Sequence, residues 1–330
     1  MNKAVKVLVC RFSSIGDIVL TTPVLRAIRQ QTGAEVHALV KRNYAEALSG
    51  NPYLSAIHTF DRKLSEVLPE LRRQGFGHVV DLHGNLRSSL LRMALGRPAS
   101  VFPKLNMRKY LYTRFGVNTL PAVHIVERYM QAAAPLGARY DGQGLDFFIP
   151  PEQELPAHTL PPSPYVAVAL GAAHATKRMP LPLLRSVIAL LPCPVVLLGG
   201  PAEGADGERL AAFFPGKAFN YCGALRLGGS ASVLRQAAAV LTPDTGLMHI
   251  AAALRRPIVS VWGNTVPAFG MTPLYPDGFS PRAVVCEVAG LRCRPCSKIG
   301  HPACPKGHFD CMGRQDPAAI ARALTSLLDG

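Results

Sequence analysis

The stretch 239-AVLTPDTGLMHIAAALRRPIVSVWGNT-265 decides the fold. Ala239–Thr242 is an apolar, strand-like run, Pro243-Asp-Thr-Gly246 a turn, the Ala-rich segment to about Leu254 a helix, and Pro257–Val261 a strand again. Strand, small-residue turn, helix and strand make one parallel crossover unit, right-handed in nearly all proteins. Small residues at the helix start let free N–H groups approach an anion closely, and the helix end adds roughly half a positive charge. Thr245 offers a hydroxyl, and His249 lies one turn further on the same face. The segment reads as an anion site for the diphosphate of a nucleotide. Asp244 also has a purely structural reading, as the cap of the helix. Neither a G-x-G-x-x-G nor a Walker lysine is present, so this is not a dinucleotide fingerprint or a P-loop.

The same alternation runs outward in both directions. The first half predicts strands at Val5–Cys10, Glu35–Val40, Ile57–Phe60, His78–Leu82 and Ser100–Phe102, with helices near Thr22–Gln31, Leu64–Gln74, Asn85–Leu95 and Glu127–Leu136. The second half restarts with Tyr165–Leu170, Pro194–Leu198, Ala218–Tyr221, Ala239–Thr242, Pro257–Val261 and Ala283–Cys286. Between them, 149-IPPEQELPAHTLPPSP-164 holds six prolines and reads as a linker. The chain is thus expected to be α/β, with two Rossmann-like domains, 1–150 and 165–330, joined by the linker 151–164 and facing across a cleft. Ligands in such sheets sit beyond the carboxyl ends of the strands. The helix Pro317–Leu328 is expected to cross back to the first domain.

With 330 residues and 48% hydrophobic content, the chain can build two cores. Its apolar runs are strand-sized, and its start is too short in apolar residues for a signal-peptide core. This predicts a cytoplasmic protein without a membrane span. The net charge of +15 is uneven: residues 1–150 hold 20 Lys/Arg against 10 Asp/Glu, and residues 151–330 hold 16 against 11. From Leu82 to Val126 there are seven basic residues and no acid. Such a half suits a phosphorylated substrate, an anionic membrane surface or nucleic acid. No nucleic-acid motif accompanies it, which argues against the last.

Two further stretches carry chemistry. In 171-GAAHATKRMP-180, Thr176, Lys177 and Arg178 follow a strand end and a small-residue loop, so a cation there can meet the same diphosphate. In 11-RFSSIGDIVLTTPVLRAI-28, Asp17 follows Ser13, Ser14 and Gly16 at the mouth of an apolar helix. A carboxylate at that place is either a helix cap or a positioned base.

Phe12-Ser-Ser-Ile-Gly-Asp-Ile-Val-Leu-Thr-Thr-Pro23, Asp81-Leu-His-Gly-Asn-Leu-Arg87, Pro243-Asp-Thr-Gly-Leu-Met-His-Ile-Ala-Ala-Ala253 and Val261-Trp-Gly-Asn-Thr265 together resemble the bacterial heptosyltransferases of glycosyltransferase family 9. That resemblance implies a GT-B fold and an inverting, metal-independent transfer of heptose from ADP-heptose to the lipopolysaccharide inner core. It implies Asp17 as the general base, and Lys177 with Asp244, Thr245, Gly246 and His249 as the diphosphate-binding set. Ser13, Ser14, Gly16 and His83 are expected beside the acceptor. Arg62, Lys63 and Arg87 are expected to grip its phosphates, the acceptor being of the phosphorylated lipid A–Kdo type on the inner membrane leaflet. Met179 and Asn264 depart from the family's usual residues, and the residues themselves specify neither the base nor the sugar. Two other readings stand beside this one: a nucleotide-sugar epimerase on the same fold, and a non-catalytic basic binding module.

Cys293-Arg-Pro-Cys296, Cys304 and Cys311 have spacings compatible with four thiolates around a structural zinc. Two disulfides are the other reading, which a reducing cytoplasm disfavours. Cys10, Cys193 and Cys222 read as core residues.

Overall fold

Lys6-Val-Leu-Val-Cys10 is β-branched or apolar throughout its centre, so both its faces must be covered, as in a parallel sheet. In the computed structural model, which describes residues 4–279 and 283–328, it is the central strand β1 of a five-stranded parallel sheet. The others are β2 (Glu35–Lys41), β3 (Ala56–Phe60), β4 (His78–Asp81) and β5 (Ala99–Val101), in the order β3-β2-β1-β4-β5. Val9 lies level with Ala38 of β2 and Val80 of β4.

The helices of the first half are α1 (Ile15–Val19), α2 (Thr22–Thr32), α3 (Leu68–Gln74), α4 (Leu86–Leu95), α5 (Asn106–Phe115) and α6 (Ile125–Ala133). The buried Arg26 of α2 binds Asp141, Asp146 and the Gly144 carbonyl, pinning the far end of the first half to its second helix.

The second sheet has six parallel strands: β6 (Val166–Ala169), β7 (Val195–Leu198), β8 (Ala218–Asn220), β9 (Ala239–Pro243), β10 (Ile258–Trp262) and β11 (Ala283–Glu287), in the order β11-β10-β9-β6-β7-β8. Its helices are α7 (Leu181–Leu190), α8 (Gly204–Phe213), α9 (Leu227–Gln236), α10 (Gly246–Ala253), α11 (Asp310–Gly313) and α12 (Pro317–Leu328). Both sheets follow the doubly wound order 3-2-1-4-5, the second extended by a sixth strand, and each reverses direction beside its first strand. The reversal points are β1/β4 and β6/β9.

The chain divides into one unit of residues up to Lys104 plus Val123–Phe148, and another of Leu105–Ala122 plus the rest from Ile149. Helix α5 therefore leaves the first half and joins the second unit, where Tyr112 meets Phe269 edge-on at 6.1 Å. Helix α12 belongs to the second unit. It packs on α7 and over β9 and β10, burying Ile320, Leu324 and Leu327 in the second unit's own core. The proline-rich segment is held against the second unit. Leu155 donates its N–H to Ser232 Oγ at 2.9 Å, its carbonyl accepts from Gln236 at 2.9 Å, and Glu154 pairs with Arg235, so the segment is strapped along α9.

Candidate functional site

In the first unit, chemistry gathers past the carboxyl end of β1. Helix α1 begins at Ile15, so Asp17 sits inside its first turn rather than ahead of it. The carboxylate folds back on Ser14, which donates its N–H at 3.2 Å and its hydroxyl at 2.9 Å to Oδ2. Asp17 thus completes the capping box of α1 from its third position, with Ser14 as the cap, a form of the structural role weighed above. Its other oxygen takes Arg11 Nη2 at 2.6 Å. Burial pushes the Asp17 carboxyl up, but the Arg11 guanidinium and the two Ser14 hydrogen bonds outweigh it and hold it below the ordinary carboxylate value. Asp17 is ionised, and 22% of its side chain stays open to solvent.

Arg11 was not foreseen as a site residue. It donates to the Ser13 carbonyl at 2.9 Å and the Leu82 carbonyl at 2.6 Å, and its guanidinium lies 5.7 Å from the Tyr129 ring centre. One side chain thereby ties the ends of β1 and β4 to α1 and α6. The signal was a charge placed immediately after a fully buried strand, which demands a partner.

Asp81, fully buried at the end of β4, accepts the N–H groups of His83 and Gly84 at 2.9 and 2.8 Å and pairs with Arg92 at 3.1 Å. His83 tilts against Phe12, with ring centres 4.6 Å apart, and its carbonyl accepts from Lys104. Burial, with Arg11 and Lys104 nearby, drives its pKa down to about 4, so its imidazole is neutral at pH 7. Its Nδ1 is buried without a hydrogen-bond partner among the described residues. Arg62, Lys63 and Arg87 also come together, on the rim of a cavity of about 330 Å³ floored by Leu64, Leu68 and Leu91.

The second unit holds the complementary set past β6 and β9. Asp244, at the end of β9, is 7% exposed and receives Lys177 Nζ at 2.6 Å and the Thr265 hydroxyl at 2.9 Å on the same oxygen. Lys177 and Asp244 thus meet directly, which spacing alone did not reveal. Thr176, also buried, donates to Asn264 Oδ1 and accepts the His301 N–H at 2.8 Å. Gly263 allows this approach: a Cβ there would stand 2.7 Å from the Thr176 carbonyl.

Thr245 is the extended N-cap of α10, and its side chain makes no cap hydrogen bond. The Thr245 hydroxyl therefore leaves the first amides of α10 uncapped, as an anion site requires, while the Met248 N–H goes to the Thr245 carbonyl at 3.2 Å. His249 is buried at 1% exposure, beneath that helix end. Arg178 is turned aside: it donates to the Ala172 carbonyl and pairs with Glu203 at 3.0 Å, so the structure does not join it to the α10 turn. Thr265 and Glu203 were missed, although Thr265 closes the quoted Trp-Gly-Asn-Thr motif.

The structure lends the structural-zinc reading no support. All eight thiols are free, Cys293 Sγ lies 3.9 Å from His308 Nε2, and among the described residues no three Cys, His, Asp or Glu stand where they can hold a metal ion. The four thiols do gather in one region, where Cys293, Cys296 and Cys304 add to the burial that pushes the Cys311 thiol up, to about 11. Among the described residues no helix is long and apolar enough to cross a membrane.

Two units, each built on a doubly wound parallel sheet, make the GT-B architecture. The chain belongs to glycosyltransferase family 9 (heptosyltransferase), whose family profile matches residues 65–306. It is 29% identical, across 98% of both chains, to lipopolysaccharide heptosyltransferase 1 of Pseudomonas aeruginosa. Among solved structures it is similar to a family 9 glycosyltransferase from Veillonella parvula (TM-score 0.77, 21% identity, 99% of this chain and 98% of that one). It is also similar to the E. coli heptosyltransferase WaaC with ADP (TM-score 0.69, 22% identity, 98% and 99% covered).

Proposed function

We propose that this enzyme moves a heptose from an ADP-activated donor to a phosphorylated lipid A–Kdo acceptor of the lipopolysaccharide inner core, at the inner face of the cytoplasmic membrane, with inversion at the sugar carbon. The observation that carries this reading is Asp17: an ionised, partly open carboxylate held by Arg11 and Ser14 at the strand end where such sheets bind ligands. The relatives' names support the sugar and the acceptor class.

In this reading the acceptor hydroxyl attacks the anomeric carbon, the bond from that carbon to the diphosphate oxygen breaks, and the hydroxyl proton passes to Asp17. A carboxylate with a lowered pKa is a weak base, so the proton moves late, once the forming bond has made the hydroxyl acidic. The charge released on ADP is met by the amides of Gly246 and Leu247, the α10 dipole and Lys177, which shares itself between Asp244 and the phosphates. Thr245 and Thr265 supply hydroxyls to the same turn. Arg62, Lys63 and Arg87 take the acceptor's phosphates, and His83, being neutral, offers a hydrogen bond without adding charge. No metal is required in this scheme.

Asp17→Asn tests it. The variant is expected to bind ADP within about twofold of wild type and to lose transfer by roughly 10²–10⁴-fold, the usual worth of a positioned base. Equal loss of ADP binding would instead mean that Asp17 serves only to fold the turn. Exhaustive chelation is expected to leave the initial transfer rate unchanged; a rate restored only by added divalent ion would contradict the metal-free scheme.

A further inference from the structure

Helix α4 is capped by Asn85, which accepts the Ser88 N–H at 2.9 Å, and it turns Ser88 and Leu91 inward. Leu86, Leu90 and Met93 recur at i, i+4 and i+7, so they share the opposite stripe. That stripe faces water: the three residues are 77%, 51% and 68% exposed. Singly exposed apolar side chains are ordinary, but a contiguous row of long ones on a helix marks an interaction surface. Folding gains little from it, because Leu91 and Leu95 on the other side already pack the helix against the core.

The charges around the stripe say what it meets. Arg87 adjoins Leu86, Arg97 follows one turn after Met93, and Arg62 and Lys63 stand with Arg87 on the cavity rim beside Leu90. Among the described residues none of these four side chains makes an ion pair, whereas Arg92 is spent on Asp81. No acid occurs in sequence from Leu82 to Val126. The partner must therefore offer negative charge at the level of the cations and apolar material directly below it.

We infer that this face of α4 docks on a bilayer of anionic phospholipid, with Arg62, Lys63, Arg87 and Arg97 at headgroup level and Leu86, Leu90 and Met93 in the acyl boundary. An interfacial helix with a basic flank and apolar side chains lies on membranes in this way, strengthened by anionic lipid. A second copy of the chain would bring the same uncompensated cations face to face. An acidic protein would satisfy the cations but leave the stripe against polar atoms. The inference deepens the reading that the enzyme works at a lipid surface, and its test needs neither donor nor acceptor, so its failure and that of the transfer chemistry are read separately.

The test is sedimentation of the full chain with vesicles of phosphatidylcholine containing a quarter phosphatidylglycerol, against phosphatidylcholine alone. Wild type is expected to bind the anionic vesicles, to leave the neutral ones in solution, and to be released by high salt. Leu86→Ser with Met93→Ser is expected to lower that partitioning about tenfold at unchanged Tm, since both side chains are mostly in water already. Arg97→Glu is expected to lower it independently. Equal binding by the double variant, no binding by wild type, or equal binding to neutral vesicles would overturn the inference. So would a double variant whose only change is loss of self-association in sedimentation velocity, which would make the stripe a contact between copies.

Discussion

At Asp17 the structural role and the proposed catalytic one do not conflict. The hydrogen bonds that make it part of the capping box of α1 also fix its rotamer and keep it ionised, which a proton acceptor needs. Arg11 sets the price in basicity. Because Arg11 holds the Asp17 carboxyl low, the acid limb of the kcat/KM profile is expected below the ordinary carboxylate range. Removing the guanidinium in Arg11→Gln is expected to move that limb to higher pH, and Arg11→Lys, which keeps the charge, to move it less. A limb that stays in place in Arg11→Gln would mean that another group governs it. Asp17 was legible in sequence, since a carboxylate after Ser-Ser-x-Gly at a strand end invites a role. Arg11 stood in the same stretch, yet its partners lie at the ends of other elements, Leu82 beyond β4 and Tyr129 in α6, which no local spacing reports.

At the scale of elements, the central parallel strands were legible because they are buried on both faces and bounded by turn residues, and the edge strands β5 and β11 by their apolar, β-branched residues. The helix α5 was not: it buries none of its residues, so no apolar period betrays it, and its weak pattern reads as a basic loop. The second site depends on how closely two loops approach. Gly263 lies between the Thr176 carbonyl and the Met312 side chain, where a Cβ would stand 2.7 and 2.8 Å away. Gly263→Ala is accordingly expected to cost on the order of 1–3 kcal/mol by overpacking, and to weaken ADP binding by displacing the Thr176–Lys177 turn. Thermal unfolding and calorimetric titration check the two effects; an unchanged Tm would show that the loops yield freely.

At the scale of the whole molecule, the buried titratable groups set the acid limit of stability. His58, His78 and His83 are all held below the ordinary histidine value, first of all by burial, His83 as far as about 4. The unfolded chain takes up these protons near pH 6.5 while the folded chain refuses them, so stability is expected to fall as pH drops from about 6.5 toward 4. A second loss follows at lower pH. Burial raises the Asp17 and Asp141 carboxyls, but Arg11 and Arg26 hold both below the ordinary value, so their stabilisation is present above the unfolded value near 4 and is lost as pH falls through the folded one. Denaturant midpoints measured from neutral pH downward test this: a flat profile to about pH 4 would contradict the first step.

Strand–helix alternation, the small-residue turn before α10 and the carboxylate after β1 follow from local chemistry, because each depends on neighbours within a turn or two along the chain. The pairing of Lys177 with Asp244, the diversion of Arg178 to Glu203, the clamp of Arg11 on Asp17 and the transfer of α5 to the second unit do not. Each joins residues far apart in sequence, or settles which of two available partners a charge takes. Only the folded sheets, by bringing separate strand ends side by side, decide that.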